Sequence, residues 1–184
     1  MSITGKWIDL IYKVATGNWK TRLLVTPLAG LLFLSLIGLF IFLSFIVDQS
    51  LKFPDILRFP WNIIGGIPVA AIGLVLMALS VIHFVKVRGT PVPFSPPPKL
   101  VKTGPYKYAR NPMLTGLFIL LFGVGIIFNS ISLIVIFTPL FIIFNVWELK
   151  KIEEPELIKR FGIEYLEYKK EVNMFFPGFK AKTK

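Results

Sequence analysis

The 184-residue sequence contains no cysteine and a single histidine, His83. Without cysteine there are no disulfides, no thiolate metal ligands and no cysteine nucleophile, and one histidine excludes a multi-histidine metal site. We therefore expect no metal. Charged residues make up only 17% of the chain and hydrophobic residues 54%. A soluble domain of this size cannot bury so much apolar surface, so a soluble single-domain protein is excluded.

Acidic residues are scarce beside basic ones, ten against 21, which gives a formal net charge of +11. In a soluble protein this excess would suggest nucleic acid as a partner. In an apolar chain it has a simpler explanation, because basic residues collect on the cytoplasmic side of membrane proteins and face anionic lipid. We therefore expect membrane lipids, and no nucleic acid, as partners.

Two long apolar stretches in the first half predict two membrane-spanning helices, Leu23–Val47 and Ile63–Val85. Each is long enough to cross a hydrocarbon core of roughly 30 Å. Ahead of them, Ile3–Trp19 has apolar residues at helical spacing between charged ones, which predicts an amphipathic helix on the membrane. The sequence thus predicts an interfacial segment over residues 1–22, followed by two transmembrane helices over residues 23–85.

A third apolar stretch, Pro112–Trp147, has no charge and is too long for one helix. The turn-favouring pair Asn129-Ser130 divides it, so we expect a helical hairpin with arms Met113–Phe128 and Ile131–Val146. The prediction is an all-α integral membrane protein with about four transmembrane helices. The hairpin would lie in a C-terminal unit over residues 86–184.

The distribution of charge predicts the orientation of this bundle. The segment Lys86–Asn111 carries six basic residues and no acid, and the N-terminal segment carries four basic residues and one acid. Cytoplasmic loops of membrane proteins carry such an excess of Lys and Arg. We therefore expect the N-terminus, the central loop and the C-terminus on the cytoplasmic side, which agrees with four crossings.

Most polar groups fall in the same cytoplasmic region. The central loop is rich in proline and presents Tyr106, Tyr108 and Arg110 just before the hairpin. Pro112 suits the first turn of a helix and Asn111 suits the N-cap. Long loops in compact bundles are often functional, so this loop is a candidate binding segment rather than a rigid connector alone.

A second polar cluster, Glu153-Glu154, precedes Pro155 at the end of the hairpin. A residue before proline disfavours helical geometry, so we expect the helix to stop there and the acidic pair to face Tyr106 and Arg110. A new amphipathic helix would run over Glu156–Glu171, with Glu156 as a solvated carboxylate and Leu157, Phe161, Tyr165 and Tyr168 on its packed face.

Three further features have simple structural explanations. His83 is best explained as a packed histidine. Pro139 is expected to kink the fourth span. Gly116, Gly123 and Gly125 suit close helix packing, although they would also suit the wall of a lateral route for a lipophilic molecule.

The polar segments resemble a known family. Leu100-Val-Lys-Thr-Gly-Pro-Tyr-Lys-Tyr-Ala-Arg-Asn-Pro-Met113 is followed, after the hairpin, by Glu153-Glu-Pro-Glu-Leu and by Phe161-Gly-Ile-Glu-Tyr-Leu-Glu-Tyr-Lys169. In this order and spacing they resemble the isoprenylcysteine carboxyl methyltransferase family, whose relatives include phospholipid N-methyltransferases. The resemblance covers roughly residues 86–178.

This resemblance implies an integral membrane enzyme that transfers a methyl group from S-adenosylmethionine to a lipophilic acceptor, such as an isoprenylcysteine-like carboxylate, a phospholipid amine or another lipid. It also implies a set of cofactor-binding residues: Pro98, Lys99, Leu100, Val101, Tyr106, Asn111, Pro112, Met113, Leu114, Glu153 and Glu154. The family often has His where Pro98 and Asn111 stand. Arg110 is the candidate catalytic residue, because its guanidinium can orient a carboxylate or phosphate of the acceptor.

Two other functions stay open on the sequence. A membrane lipid or sterol-type reductase with a nicotinamide cofactor would have a similar C-terminal half, although the 2′-phosphate of NADPH favours a basic cluster and Glu153-Glu154 is acidic. A non-enzymatic four-helix protein, such as a transporter, would be expected to carry ionisable groups within its spans, where only His83 qualifies.

Overall fold

A computed structural model describes residues 3–86 and 99–177 of the chain, and the regular structure within them is helical. The helices are α1 (Ile3–Thr16), α2 (Trp19–Leu51), α3 (Trp61–Lys86), α4 (Pro112–Ile127), α5 (Thr138–Glu148), α6 (Glu154–Phe161) and α7 (Ile163–Glu171). A 3₁₀ turn over Gly104–Lys107 precedes α4. The all-α prediction is confirmed for these residues.

Three helical stretches are long and apolar enough to cross a bilayer: Leu24–Leu51, Trp61–Lys86 and Leu133–Phe161. The helix α4 is a shorter apolar helix beside them. The chain is therefore an integral membrane protein with several spans. The first two predicted spans are confirmed, and each helix extends a few residues beyond its predicted ends.

The second arm of the hairpin is longer than the sequence predicts. Helical backbone continues past Val146, through a π turn at Leu149–Glu153 and then through α6. The expectation that the helix stops before Pro155 is wrong, because Pro155 lies in the first turn of α6, where a missing N–H group is tolerated. The break comes at Gly162, whose φ of 57° is a left-handed conformation that glycine adopts without strain. It divides the predicted helix Glu156–Glu171 into α6 and α7.

The helix that contains Pro139 is irregular just ahead of the proline, and the expected kink stays a prediction. The backbone forms a π turn over Leu133–Phe137, and the N–H of Thr138 donates to the carbonyl of Leu133. Because proline has no N–H to donate, the regular α-helical ladder resumes only in α5.

The helices α3 and α4 pack most extensively, and glycine permits their close approach. A Cβ on Gly123 would lie 2.5 Å from the backbone nitrogen of Ala70, and one on Gly116 would lie 2.7 Å from the carbonyl oxygen of Gly73. Side chains there would push two backbones apart. The packing interpretation of these glycines is confirmed, and the alternative, that they line a lateral route, is wrong.

A cluster of small polar side chains fixes the hairpin turn to α2. The hydroxyl of Ser130 and the N–H of Ser132 donate to the carboxylate of Asp48, at 2.5 and 2.9 Å. The hydroxyl of Ser132 also donates to the carbonyl of Ser44 at 2.7 Å. Asp48 therefore satisfies N–H and O–H groups at the start of the second hairpin arm, where a negative charge is favourable.

The chain after α7 returns to the start of α4. The N–H groups of Arg110 and Asn111 donate to the carbonyls of Asn173 and Met174, at 2.8 and 2.9 Å. The ring of Phe175 then packs edge-on against Phe118, with 5.5 Å between centroids. This return holds α7 beside the segment that precedes α4, where most predicted site residues lie.

Candidate functional site

A cavity of about 370 Å³ lies where α5 and α6 face the segment before α4. This volume is typical of a site for a small molecule. The cavity has a polar part, lined by carboxylates, guanidiniums and tyrosines of α5, α6, α7 and the segment before α4. Its lining also includes an apolar part, to which Ala29, Gly30 and Phe33 of α2 and Phe144 of α5 contribute.

Most of the predicted site residues meet at this cavity. The following line it: Leu100, Val101, Tyr106, Arg110, Asn111, Met113, Leu114 and Glu153. Lys99 is exposed, and Pro112 is buried as the first residue of α4 without lining the cavity. Pro98 lies outside the described residues. The structure thus brings Glu153, at the end of the second hairpin arm, to the same cavity as the predicted residues before and at the start of α4.

Tyr106 forms one wall of the polar part and is held from two sides. The hydroxyl of Tyr168 donates to its carbonyl at 2.6 Å, and the ring of Phe84 packs edge-on against it with 5.0 Å between centroids. Burial raises the pKa of Tyr106 far above its ordinary value, and the nearby Tyr168 and Glu153 raise it further. The hydroxyl of Tyr106 therefore stays protonated across the physiological range.

Two tyrosines of α7, Tyr165 and Tyr168, also have raised pKa values. Burial raises the pKa of Tyr165, and the charge of Glu154 raises it further, while Arg110 acts in the opposite direction. Burial likewise raises the pKa of Tyr168. All three tyrosines are neutral hydrogen-bond donors, and none is a tyrosinate base at neutral pH.

Asn111 differs from its predicted role. It occupies the N-cap position of α4, but its side chain accepts no hydrogen bond from the first turn. Its backbone carbonyl instead accepts from the N–H and hydroxyl of Thr115, both at 3.0 Å. The side chain of Asn111 remains at the cavity wall.

The second glutamate of the acidic pair, Glu154, is buried in an ion-pair triad. Its carboxylate accepts from the guanidinium of Arg110 and from the ammonium of Lys169, each at 2.5 Å. Arg110 also donates to the carbonyls of Lys169 and Val172, at 3.2 and 2.5 Å. Of the acidic pair, Glu154 thus contacts Arg110 as expected, and it joins α6 to α7 and to the start of α4. It does not line the cavity, although it is one of the predicted cofactor-binding residues.

The first glutamate, Glu153, faces the cavity together with Glu148. In the described part of the chain, neither carboxylate has an ion-pair or hydrogen-bond partner. Residues five apart in an α-helix point in different directions, but the π turn at Leu149–Glu153 widens the helix and brings these two to one side. Two half-buried carboxylates without partners make this wall of the cavity attractive to a cation.

Glu156 corrects another expectation from the sequence. It is only 2% exposed and lines the cavity, so it is not a solvated helix carboxylate. The Nη2 atom of Arg160, one turn later, lies 3.3 Å from its Oε2 atom. The packed face of this helix therefore carries a charged pair beside the predicted Leu157 and Phe161.

Glu148, Glu156 and Arg160 are not among the site residues that the sequence predicts, and all three line the cavity. A signal was present, because Glu148, Glu153, Glu156 and Arg160 recur along one stretch at intervals of five, three and four residues. The interval of five does not fit an α-helical face, so the pattern becomes visible only with the π turn in place.

Comparison with known proteins agrees with this geometry. The chain is 35% identical over 79 residues to a protein-S-isoprenylcysteine O-methyltransferase of Saccharomyces cerevisiae, a match that covers 42% of this chain and 32% of the relative. The chain thus matches about a third of that relative's length. No solved structure matches it significantly. Residues 61–164, from the start of α3 to the start of α7, match the phospholipid methyltransferase family, and the chain therefore belongs to this family.

Proposed function

We propose that this protein transfers a methyl group from S-adenosylmethionine to a lipophilic acceptor at the membrane surface. The observation that carries the proposal is the pair of unpartnered carboxylates, Glu148 and Glu153, in the wall of the cavity. Membership of the phospholipid methyltransferase family supports the same reaction. The acceptor would be an isoprenylcysteine-like carboxylate, a phospholipid amine or another lipid.

The residues present fit S-adenosylmethionine. Its sulfonium and ammonium groups are cations, and Glu148 and Glu153 are carboxylates that lack a cationic partner in the described residues. The ribose hydroxyls can also donate to such a carboxylate, and charge-assisted hydrogen bonds of this kind are among the strong ones. Tyr106 and Phe84 would supply aromatic surface for the sulfonium or the adenine. The same two carboxylates would repel the 2′-phosphate of NADPH, which argues against a reductase.

When bound, S-adenosylmethionine supplies a methyl group that is already activated. The chain then has to hold donor and acceptor in line and keep water away. The cavity suits this purpose, with Leu100, Val101 and Leu114 as apolar lining. Arg110 stays the candidate for orienting an acidic group of the acceptor, although Glu154 already occupies part of its guanidinium.

The apolar part of the cavity suits the acceptor. Ala29, Gly30 and Phe33 belong to the membrane span α2, and Phe144 belongs to α5. We infer that a lipid reaches the reacting centre sideways between these two helices. This assignment replaces the hairpin glycines, because Gly116 and Gly123 pack against α3 and Gly125 packs against Ile134.

We further propose that α4 completes a fourth crossing and that both termini face the cytoplasm. The excess of basic residues in the central loop supports this orientation. The polar part of the cavity would then open toward the cytoplasm, from which a water-soluble cofactor arrives. The apolar part would face the bilayer.

Filling the apolar opening should block the acceptor and spare the cofactor. We expect Gly30→Leu to lower turnover on a lipid acceptor about tenfold, since one misplaced contact near the reactants can cost that much or more. No atom lies within 4 Å of a Cβ at Gly30, so the protein should still fold. The measurement compares turnover and cofactor affinity of the variant with those of the parent protein.

Gly38→Leu is the matched control for this experiment. Gly38 lies in the same helix, has equally open space around its Cβ position and does not line the cavity. We expect its turnover to equal that of the parent. Equal turnover of both variants would contradict the proposal that lipid enters beside Gly30. A loss of cofactor affinity in Gly30→Leu would instead mean that this glycine lies in the cofactor site.

The proposed reaction is tested by incubating the purified protein with membrane lipids and S-adenosylmethionine that carries a labelled methyl group. We expect the label in the lipid extract and an equal amount of S-adenosylhomocysteine. Glu153→Gln should abolish most of both signals. Label transfer that is absent from lipids, or that persists unchanged in Glu153→Gln, would contradict the proposal.

A further inference from the structure

Three buried polar atoms of cavity-lining residues have no hydrogen-bond partner within the described residues: Nε of Arg110, Oε1 of Glu156 and Nε of Arg160. The guanidinium of Arg110 is otherwise bound to Glu154 and to two carbonyls, whereas the ion pair of Glu156 and Arg160 is with each other. The side chain of Glu156 is 3% exposed and that of Arg160 is 13% exposed. Leaving such groups unsatisfied is costly, and charged groups cost most. Both residues line the cavity, so a bound molecule is the natural source of the missing partners.

This pair lies at the end of the cavity remote from the apolar opening. Glu156 and Arg160 belong to α6, whereas Phe144 at the opening belongs to α5. At 1.5 Å per residue, Glu156 is about 18 Å from Phe144 along the helix axis. The unpartnered carboxylate of Glu153 lies between them, about one helical turn before Glu156. The pair therefore lies on the far side of the proposed methyl-donor site from the lipid.

We propose that Glu156 and Arg160 bind the amino-acid end of S-adenosylmethionine. Arg160 would receive its carboxylate and Glu156 its ammonium group. A guanidinium beside a carboxylate is the complement of a zwitterion, in which both charges are also adjacent. The inference rests on the proposed function, and it assigns the orientation of the cofactor, with the amino-acid end toward α6.

A zwitterionic lipid head group has the same chemistry, because it also joins an ammonium to an anionic group. Such a head group is attached to acyl chains, which need the apolar opening between Gly30 and Phe144. The distance of about 18 Å along the helix axis separates this opening from Glu156. The position of the pair therefore favours the cofactor over the acceptor.

Two nucleosides distinguish this assignment from a general effect on the cavity. S-adenosylhomocysteine carries the amino-acid end, whereas 5′-methylthioadenosine shares its adenosine and thioether and lacks that end. Affinities of both are measured by titration calorimetry on the detergent-solubilised protein. In the double variant Glu156→Gln/Arg160→Gln, we expect the affinity for S-adenosylhomocysteine to fall at least about tenfold. The affinity for 5′-methylthioadenosine should stay within about twofold, since it makes no contact with the pair.

The double variant removes both charges together, so that neither is left buried without its partner. Binding of 5′-methylthioadenosine then reports that the cavity is still folded. If the double variant fails to fold, Arg160→Lys decides. It keeps the charge but loses the fork of donors, and it should weaken S-adenosylhomocysteine selectively. Glu167→Gln, which changes an exposed carboxylate of α7, is the control and should alter neither affinity.

Three outcomes would overturn the inference. Equal loss of affinity for both nucleosides would mean that the pair only maintains the cavity. No loss for either nucleoside, with an unchanged KM for a zwitterionic phospholipid, would mean that the pair binds nothing there. Unchanged nucleoside affinities with a raised KM for a zwitterionic phospholipid would assign the pair to the acceptor. If the parent protein binds neither nucleoside, the proposed function itself fails, which separates this result from the other three.

Discussion

Glu154→Gln should lower the stability of the protein more than any other single charge neutralisation in this site. Its carboxylate is 5% exposed and binds both Arg110 and Lys169. Removing one partner from a buried ion pair costs about 3–5 kcal/mol, because the remaining charge stays buried without compensation. For a protein of this size, the midpoint of thermal unfolding should fall on the order of 10 °C. The measurement is thermal unfolding in detergent.

Glu167→Gln is the control for this prediction, because Glu167 is an exposed carboxylate of the adjacent helix α7. We expect its unfolding midpoint to match that of the parent, since surface charges contribute little. A Glu154→Gln protein that unfolds at the parent's temperature but no longer binds S-adenosylhomocysteine would mean that Glu154 is a ligand to the cofactor and that the triad is not structural.

Glu153→Gln should have the opposite profile, with stability retained and cofactor binding lost. Neutralising Glu153 leaves no cation unpaired among the described residues, so the fold should survive. S-adenosylhomocysteine has no sulfonium, so the bond tested is the one that the ribose hydroxyls would donate to Glu153. Losing such a charge-assisted hydrogen bond costs about 1.5–3 kcal/mol, which is roughly tenfold to more than a hundredfold in affinity. The readouts are titration with S-adenosylhomocysteine and thermal unfolding of the same preparation.

Glu167→Gln is again the control variant, and it is used instead of Glu156→Gln. The sequence alone recommends Glu156 as a solvated control, but its burial in the cavity wall disqualifies it. Equal affinities of Glu153→Gln and Glu167→Gln for S-adenosylhomocysteine would refute the role of Glu153. The two neighbouring glutamates would thus have different roles, since Glu153 would bind the cofactor and Glu154 would stabilise the fold.

The sequence predicts the spans well because length and hydropathy alone determine whether a helix can cross a bilayer. The spans around Leu24–Leu51 and Trp61–Lys86 needed no tertiary information. The hairpin turn at Asn129-Ser130 follows equally from local turn preference. The segment Leu100–Leu114 is assigned to the cofactor by its resemblance to a known family, and the structure adds that seven of its residues line one cavity.

The course of the last long helix could not be predicted from local rules. The rule that helices end before proline fails at Pro155, because a π turn precedes it and the proline falls in the first turn of α6. That turn also decides which side chains face the cavity. With 3.6 residues per turn, Glu148 would not share a face with Glu153 and Glu156, whereas Arg160 lies one regular turn after Glu156.

The contribution of α2 to the cavity could not be predicted from the sequence either. Gly30 and Phe33 are two of many apolar residues in a span whose surface is largely exposed to lipid. Nothing in their local sequence distinguishes them from Gly38, and only the packing of α2 against the hairpin makes them part of the site. Contacts between distant segments depend on the whole fold, and periodicity within one segment does not specify them.

The central claim is that the cavity binds S-adenosylmethionine, and titration of the purified protein with S-adenosylhomocysteine tests it most directly. The account predicts saturable binding, with one nucleoside per chain, that weakens roughly tenfold or more in Glu153→Gln and is unchanged in Glu167→Gln. Absence of binding to the folded parent protein, or binding that Glu153→Gln leaves intact, would contradict it.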